Sequence, residues 1–503
     1  MKLKHNNRLA RLAASTLMAI AAMMLTVTLM TSCSSAPENA TKVDQLPKIF
    51  PDYTNVTIPV GIAPLDFCFA GGDYETMDVT VKGSRGGEIH CQGDDADFDI
   101  DAWHNLLEQN KGGDLSVQVC VRQQGQWSQY RDFTIHVSRY DLKAWGLTYR
   151  LIAPGYEVYS KMGLYQRDLS TFDESAILEN TQVPGMCINC HTPNRTNPDQ
   201  FTFHVRGEHG ATLVQQNGKR EWLNTKTDST LGSCVYPYWH PTGRYIAFST
   251  NTTRQGFHAL PHERIEVFDF DSDVQVYEPS THQLLLSPLL QTKGWSENEP
   301  VFSPDGRTLY FTTARTQTYP AHFKDEKYDL CKISFDPKTG TFGNKVDTLF
   351  RATAMGKSLT WPKPSYDGRY ILFTLSDYGY FSIWHNESDQ WLLDLRTGKA
   401  RPLKEVNSRK ADSFHNWSAD SHWFVFTSRR GDGLYSRLYL SSIDDQGRAT
   451  KPFLLPQRHP YRYYQRLLKS YNTPDFTLRK VDFDRVAAGR EIASDKRTNI
   501  TVR

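Results

Sequence analysis

Residues 302–312 read FSPDGRTLYFT, and this stretch decides the fold. Its Asp-Gly pair is typical of a tight turn between two strands, and the alternating residues after it are typical of a strand that fills a sheet. The pattern recurs at intervals of about 60 residues, as WHPTGRYIAFS at 239–249, PSYDGRYILFT at 364–374 and, in degenerate form, WSADSHWFVFT at 417–427. Further strand-like segments follow the copies, and four strands per repeat indicate the blade of a β-propeller.

These repeats resemble the WD40-like repeats of TolB-type propellers, whose Ser-Pro-Asp-Gly-Arg turn is intact at Ser303–Arg307. The repeat pattern covers about half of the chain. Segments such as Phe201–Val205 and Ala211–Gln215 could add strands, so we expect a five- or six-bladed ring. TolB itself is a periplasmic scaffold that binds partners and carries neither haem nor lipid.

The region before the repeats is expected to form a β-sandwich-like domain. Three of its segments alternate apolar and polar residues as half-buried strands do, namely Met77–Val81, Leu115–Val119 and Phe133–Val137. A short helix is expected at Trp103–Gln109, behind Asp101 as a candidate N-cap. The whole chain is therefore predicted to be mainly β, with this organisation: signal peptide 1–32, tether 33–46, sandwich-like domain 47–140, connector 141–182, Cys-x-x-Cys-His segment 183–210, propeller 211–460 and C-terminal extension 461–503.

The first 33 residues have the features of an export signal. A basic start precedes an uncharged apolar run from Leu12 to Met30, which ends in small residues and Cys33. This ending resembles a bacterial lipobox, with Leu29 one place further out than usual, and implies lipidation of Cys33 and cleavage before it. The alternative is a transmembrane anchor, but no charged stop-transfer cluster follows the run. We expect a lipid-anchored protein of the bacterial cell envelope, on the outer membrane and facing the periplasm.

Charge and motifs exclude several classes of function. The chain has 58 Lys and Arg against 56 Asp and Glu, and four of the basic residues lie in the signal segment. The remainder lacks the basic surface expected of a nucleic-acid-binding protein. No Gly-x-Ser-x-Gly elbow, Walker loop or His-Glu-x-x-His motif occurs in the sequence. An electron carrier or a binding protein is therefore expected rather than a hydrolase or transferase.

The motif with specific chemistry is CINCH at residues 187–191. Cys-x-x-Cys-His is the attachment site of c-type haem. Cys187 and Cys190 would form thioethers to the porphyrin, and His191 would be the proximal iron ligand. His204 and His209 are the candidate distal ligands. Prolines on both sides of the motif indicate an exposed loop.

Two alternatives remain open for these cysteines. Cys187, Cys190, His204 and His209 have the spacing of a structural zinc site, although Gly207 interrupts the second half and His191 is left unexplained. A plain disulfide between the two cysteines would also suit an oxidising compartment. Five cysteines remain besides these and Cys33, and most of them are expected to be single buried residues: Cys68, Cys91, Cys120, Cys234 and Cys331.

The order of these features resembles a family of TolB-like propeller lipoproteins from bacterial envelopes that carry a single c-type haem motif. The resemblance implies envelope localisation and electron transfer. The first hypothesis is a redox protein with one covalent haem, which passes electrons to a partner protein docked on the propeller. The second hypothesis is a binding scaffold. Its propeller would recognise a protein, peptide or glycan, and zinc or a disulfide would stabilise the cysteine motif.

Overall fold

The computed structural model describes residue 37 and residues 39–154, 161–260 and 263–503. The signal segment and its lipidation candidate Cys33 lie outside these residues. The described chain is mainly β, as predicted. Within it, no helix is long and apolar enough to cross a membrane.

The N-terminal region contains one seven-stranded sheet and a separate two-stranded sheet, and its sandwich-like arrangement stays a prediction. Its seven strands pair in the order β1-β8-β7-β5-β6, with β9 on β7 and β3 on β9, while β2 and β4 form a separate pair. The elements are β1 (Thr41–Val43), β2 (Ile49–Phe50), β3 (Thr57–Ile58), β4 (Cys68–Phe69), β5 (Thr76–Gly83), β6 (Glu88–Gly93), α1 (Ile100–Gln109), β7 (Asp114–Gln123), β8 (Gln126–Tyr130) and β9 (Phe133–Val137). The predicted helix is present, but its N-cap is Asp99, whose side chain accepts the Ala102 N–H at 2.9 Å.

Six further sheets of four principal strands follow. Sheet I joins β10 (Gly146–Ile152), β11 (Gly163–Asp168) and β12 (Glu174–Glu179) to β33 (Ser470–Thr477). Sheet II contains β13 (Met186–Asn194), β14 (Asn197–Gly207), β15 (Ala211–Gln216) and β16 (Lys219–Asn224). Sheet III contains β17 (Cys234–Trp239), β18 (Ile246–Leu260), β19 (Glu263–Glu278) and β20 (Gln283–Leu285).

The other three sheets coincide with the remaining sequence repeats. Sheet IV contains β21 (Trp295–Phe302), β22 (Thr308–Arg315), β23 (Asp329–Asp336) and β24 (Thr341–Phe350). Sheet V contains β25 (Ser358–Pro364), β26 (Tyr370–Ser376), β27 (Asp389–Asp394) and β28 (Lys399–Pro402). Sheet VI contains β29 (Asp412–Trp417), β30 (Trp423–Ser428), β31 (Arg437–Ser442) and β32 (Phe453–Leu454).

The remaining elements are short. The C-terminal segment adds α2 (Pro460–Arg466), α3 (Arg485–Ala493), β34 (Thr498–Asn499) and β35 (Thr501–Val502). β34 and β35 pair in parallel with β16 and β20. Single 3-10 turns lie at Asn180–Gln182, Pro288–Leu290, Phe323–Asp325, Thr353–Met355 and Ser382–Trp384.

The six sheets form a closed ring. Their inner strands contact one another in the order β33, β13, β17, β21, β25, β29 and back to β33. Buried apolar clusters fill the interfaces between neighbouring sheets. Burial of such apolar surface is the main stabilising term of a fold, and sheets around a central axis are the arrangement of a β-propeller.

The structure places strands in segments that the sequence interpretation set apart from the propeller. The connector 141–182 contains β10–β12, the motif segment 183–210 contains β13 and β14, and the C-terminal extension contains β33. These segments lack the Asp-Gly-Arg turn, so the repeat pattern does not reveal them. The turn between β13 and β14, for example, uses Arg195 at φ 57° where three of the repeat copies use glycine.

The N-terminal region packs directly on the ring. One apolar cluster combines residues of the N-terminal sheet with residues of sheets I and VI, including Trp103, Tyr149 and Trp423. The Tyr53 hydroxyl donates to the Leu454 carbonyl at 3.2 Å across this contact.

Candidate functional site

Each inner strand of the ring carries a bulge at the same place. Register shifts interrupt all six inner pairings. One residue in each bulge has a left-handed backbone: Cys190 (φ 50°), Tyr236 (49°), Glu299 (49°), Trp361 (58°), Phe414 (50°) and Thr473 (43°). This conformation costs a non-glycine residue about 1–3 kcal/mol, and bulges are frequent beside functional sites because they re-aim side chains.

The residue after the left-handed position is proline in four sheets and histidine in two. The prolines are Pro237, Pro300, Pro362 and Pro474, and the histidines are His191 and His415. The Cys-x-x-Cys-His motif therefore lies in the inner strand of sheet II, not on the exposed loop expected from its flanking prolines. Hydrogen bonds to β14 fix this strand on one side.

A cavity of about 800 Å³ opens along the ring axis. This volume is within the range of small-molecule and cofactor sites. Cys187, Cys190 and His191 all line it, so the structure brings the three predicted haem residues to one cavity. Other lining residues are Arg150, His204, Arg206, Tyr236, Glu299, Trp361, Lys363, Tyr380, Trp384, Phe414, His415, Arg429 and Asp475.

His191 is buried with only weak polar contacts. Its side chain is 0% exposed, and neither Nδ1 nor Nε2 makes a hydrogen bond of ordinary geometry among the described residues, although the Thr148 backbone lies close to the ring. Burial lowers the pKa of His191 to about 3, so the imidazole is neutral at pH 7. A neutral imidazole has one unprotonated nitrogen, which is the form that binds metals.

Asp475 lies beside this imidazole, with His191 Nε2 at 3.7 Å from Asp475 Oδ2. The other carboxyl oxygen of Asp475 accepts a hydrogen bond from the Asn416 amide. Burial raises the pKa of Asp475 to about 7. Because both groups favour their neutral forms, this pair is not a strong ion pair at neutral pH.

The two motif cysteines differ in their surroundings. Cys187 is half-buried, and Arg150 Nη2 lies 3.4 Å from its Sγ atom while Nη1 donates to Asn189 Oδ1 at 3.0 Å. Cys190 is buried, and this burial raises the pKa of its thiol. Both are free thiols in the structure, as are the other five described cysteines.

The structure separates the two candidate distal ligands. His204 lines the cavity, where its Nδ1 lies 3.0 Å from Thr212 Oγ1 and burial lowers its pKa to about 3. His209 does not line the cavity, because β14 ends at Gly207 and the following turn carries His209 to Asp495, at 2.8 Å. The four residues of the zinc alternative are therefore not assembled. Among the described residues no group of three or more His, Cys, Asp and Glu is arranged to hold a metal ion.

His415 is a cavity residue that the sequence interpretation missed. Its Nε2 donates to the Leu372 carbonyl at 2.9 Å, whereas Nδ1 is buried and makes no hydrogen bond of ordinary geometry in the described chain. Burial lowers its pKa to about 3. The available signal was the fourth repeat, in which histidine stands two residues before Trp417 while three copies have proline at that place.

The charged groups give the cavity an excess of positive charge. Arg150, Arg206, Lys363 and Arg429 all line it. The facing acids are Glu299 and Asp475, and burial raises the pKa of Glu299 to about 8. Both carboxyls therefore carry less than a full negative charge at pH 7. Burial also lowers the pKa of Lys363, so the arginines supply most of the positive charge that favours an anionic ligand.

Comparison with known proteins gives structural similarities only. No family model and no curated protein matches the chain. A protein from Agrobacterium tumefaciens assigned as TolB has 16% identity and a TM-score of 0.38, covering 62% of this chain and 88% of its own. The periplasmic gluconolactonase PpgL of Pseudomonas aeruginosa has 14% identity and a TM-score of 0.34, covering 66% and 99%. An oligogalacturonate lyase in complex with manganese has 11% identity and a TM-score of 0.35, covering 62% and 74%. At these TM-scores the similarities carry no argument about this chain.

Proposed function

We propose that the protein is a cell-envelope lipoprotein whose propeller cavity holds one covalently bound c-type haem. The observation that carries this proposal is the joint position of Cys187, Cys190 and His191 on one cavity. The residues present fit the group, because a buried imidazole without a good hydrogen bond is unfavourable unless a ligand uses it. The signal segment and Cys33 support export and lipid anchoring on the outer membrane, facing the periplasm.

In this proposal Cys187 and Cys190 form the two thioethers and His191 binds the iron. The bound haem would supply one-electron redox chemistry, and the protein would pass electrons to a partner docked on the propeller. His204 and His415 are the two further histidines that line the cavity, so one of them would be the distal ligand. We also take each of the six sheets as one blade, with the domain boundaries given above.

The second candidate is a binding scaffold without haem. The positive charge and the aromatic residues of the cavity favour it, because Trp361, Trp384 and Phe414 offer flat apolar surface beside cationic groups. The ligand would be an anionic peptide or glycan, and the cysteine motif would have a structural role.

The deciding experiment is an absorption spectrum with a haem-stained denaturing gel. The full chain is co-expressed with a c-type cytochrome maturation system, beside a Cys187→Ala/Cys190→Ala variant. A Cys234→Ala/Cys331→Ala variant is the matched control, since it removes two buried thiols outside the motif. We expect a Soret band and denaturation-resistant haem in the wild type and the control, and none in the motif variant.

Two results would contradict the haem proposal. A colourless wild type, with a known cytochrome maturing in the same cells, would remove it in favour of the scaffold. Haem that survives denaturation in the motif variant would show attachment elsewhere. Metal analysis of a colourless protein then tests the zinc alternative, and thiol titration tests the disulfide.

A further inference from the structure

Arg429 is a buried cation with unpaired donors. It lines the cavity and is 2% exposed, and its Nε and Nη1 atoms have no hydrogen-bond partner among the described residues. Its guanidinium carbon lies 3.1 Å from the centre of the Trp384 ring. The nearby Asp432 carboxylate accepts the backbone N–H groups of Leu434 and Tyr435, at 2.8 Å each.

In contrast, the guanidinium of the neighbouring Arg430 has hydrogen-bond partners. Its Nη2 donates to Asp412 Oδ1 at 2.8 Å and to the Val406 carbonyl at 2.6 Å. A guanidinium stays protonated even when buried, although burial lowers the pKa of Arg429. An unpaired buried charge is strongly unfavourable, and an anion bound in the cavity would compensate it.

Arg429 follows β30 of sheet VI, and its guanidinium lies on the ring of Trp384, which belongs to the turn between β26 and β27 of sheet V. In the ring order sheet V stands opposite sheet II, so the Arg429 guanidinium reaches the wall of the cavity that faces the cysteine motif. Arg429 follows Ser428, which pairs with Asp412 at the start of β29. Cys187 is the second residue of β13, so both groups lie at the end of the ring where the inner strands start.

We propose that Arg429 anchors a carboxylate-binding subsite of the central cavity. A guanidinium binds a carboxylate through two parallel hydrogen bonds. The wall around it is apolar and aromatic, with Trp384 and Phe414 in one buried cluster and Trp361 packed against them. The subsite therefore suits a carboxylate attached to a flat apolar body.

One source of this carboxylate is a haem propionate, and this part of the inference rests on the proposed function. The propionates of haem leave the porphyrin on the edge opposite its vinyl groups. Thioethers at Cys187 and Cys190 would hold the vinyl edge at sheet II, which leaves the propionate edge facing the Arg429 wall. The other source is a free aromatic or apolar carboxylate in a cavity without haem.

The test uses Arg429→Gln, the conservative Arg429→Lys, and Arg409→Gln as a matched control on an exposed residue outside the cavity. In the haem-bearing protein, the reduction potential is measured by redox titration. We expect Arg429→Gln to lower the potential. A cation beside the propionate favours the reduced haem, which carries one positive charge fewer than the oxidised haem, so removing the cation favours the oxidised form. Arg429→Lys should restore most of the change, and the control should leave it unaltered.

The second arm uses the Cys187→Ala/Cys190→Ala protein and sodium benzoate as the probe. Benzoate should raise its unfolding temperature, and Arg429→Gln should weaken this binding at least tenfold. A potential that depends on Arg429 identifies the propionate, whereas benzoate binding alone identifies a free carboxylate. If haem never attaches, the proposed function fails and the benzoate arm still decides the subsite. Indifference of both measurements to Arg429 overturns the inference.

Discussion

Replacing His191 by leucine should stabilise the protein when haem is absent, although the same change should destroy a haem site. The imidazole is fully buried, and neither ring nitrogen makes a hydrogen bond of ordinary geometry in the described structure. Leucine offers a side chain of related size without polar atoms. The substitution therefore removes poorly paired polar atoms and loses only weak contacts with Asp475 and the Thr148 backbone, which distinguishes His191 from an ordinary core histidine.

The magnitude follows from the burial. An unpaired buried polar group costs about 1–3 kcal/mol, and the imperfect fit of a different shape costs up to about 1.5 kcal/mol. We expect a net gain of about 1 kcal/mol in the free energy of unfolding. His204→Leu is the matched control, because it removes the 3.0 Å contact with Thr212 and should lose about 1 kcal/mol.

The assay is urea unfolding followed by tryptophan fluorescence. Both substitutions are made in the Cys187→Ala/Cys190→Ala background, so that no haem attaches and the midpoints are comparable. A higher midpoint for His191→Leu together with a lower one for His204→Leu supports a ligand role for His191. If His191→Leu lowers the midpoint as much as His204→Leu does, His191 is a structural core residue and the reasoning is refuted.

Three further predictions concern the fold. Burial raises the pKa of Asp66 to about 8. The folded protein therefore holds the Asp66 proton more tightly than the unfolded chain does, and the free energy of unfolding falls as the pH rises from about 4 to about 8. Asp66→Asn should reduce this fall by several kcal/mol, measured as urea midpoints at pH 5 and pH 8. Trp103→Ala removes a ring that is 0% exposed and should cost about 3–5 kcal/mol in urea unfolding, whereas Trp295→Ala, at a position 37% exposed, should cost far less. A chain that ends after Lys469 lacks β33 and should show no cooperative thermal transition by circular dichroism, whereas one that ends after Ile500 lacks only β35 and should keep it.

Sheets III to VI could be predicted because their turns need an unusual backbone. Gly243, Gly306 and Gly368 have φ values of 73°, 72° and 75°, and glycine adopts this conformation without strain. Ser421 has φ 62° in the degenerate copy, so the same turn persists there without glycine. In sheet II Arg195 occupies the left-handed position, and a pattern built on Asp-Gly cannot find it.

Sheet I could not be predicted from local patterns. Its inner strand β33 pairs with β10, so Gly146 lies opposite Thr477 although most of the chain separates them. Alternation of apolar and polar residues identifies a strand but not a partner so distant in sequence. The closure of the ring therefore became visible only in the structure, and with it the place of the C-terminal segment.

The residues of the candidate site also fall into two groups, those that the sequence predicts and those that only the structure reveals. A local motif predicted Cys187, Cys190 and His191, because its chemistry depends on residues adjacent in sequence. His415 and Arg429 belong to sheet VI and reach the cavity only because the ring closes. No spacing along the chain connects them to the motif, and their unpaired nitrogens are a property of burial.

The bulge that recurs in all six inner strands shows which residues its backbone requires. Four inner strands place proline after the left-handed residue, and proline has a fixed φ and no N–H group. The bulge therefore needs neither an imidazole nor a backbone donor at this position. His191 and His415 depart from proline in two sheets, and each has a buried nitrogen that makes no hydrogen bond of ordinary geometry in the described chain. Since the bulge forms equally well with proline, the backbone geometry does not explain the two histidines, and we attribute them to their side chains. His191 follows directly after the second of two thiols on the same cavity, and the haem proposal accounts for this position because it uses the two thiols and the imidazole together.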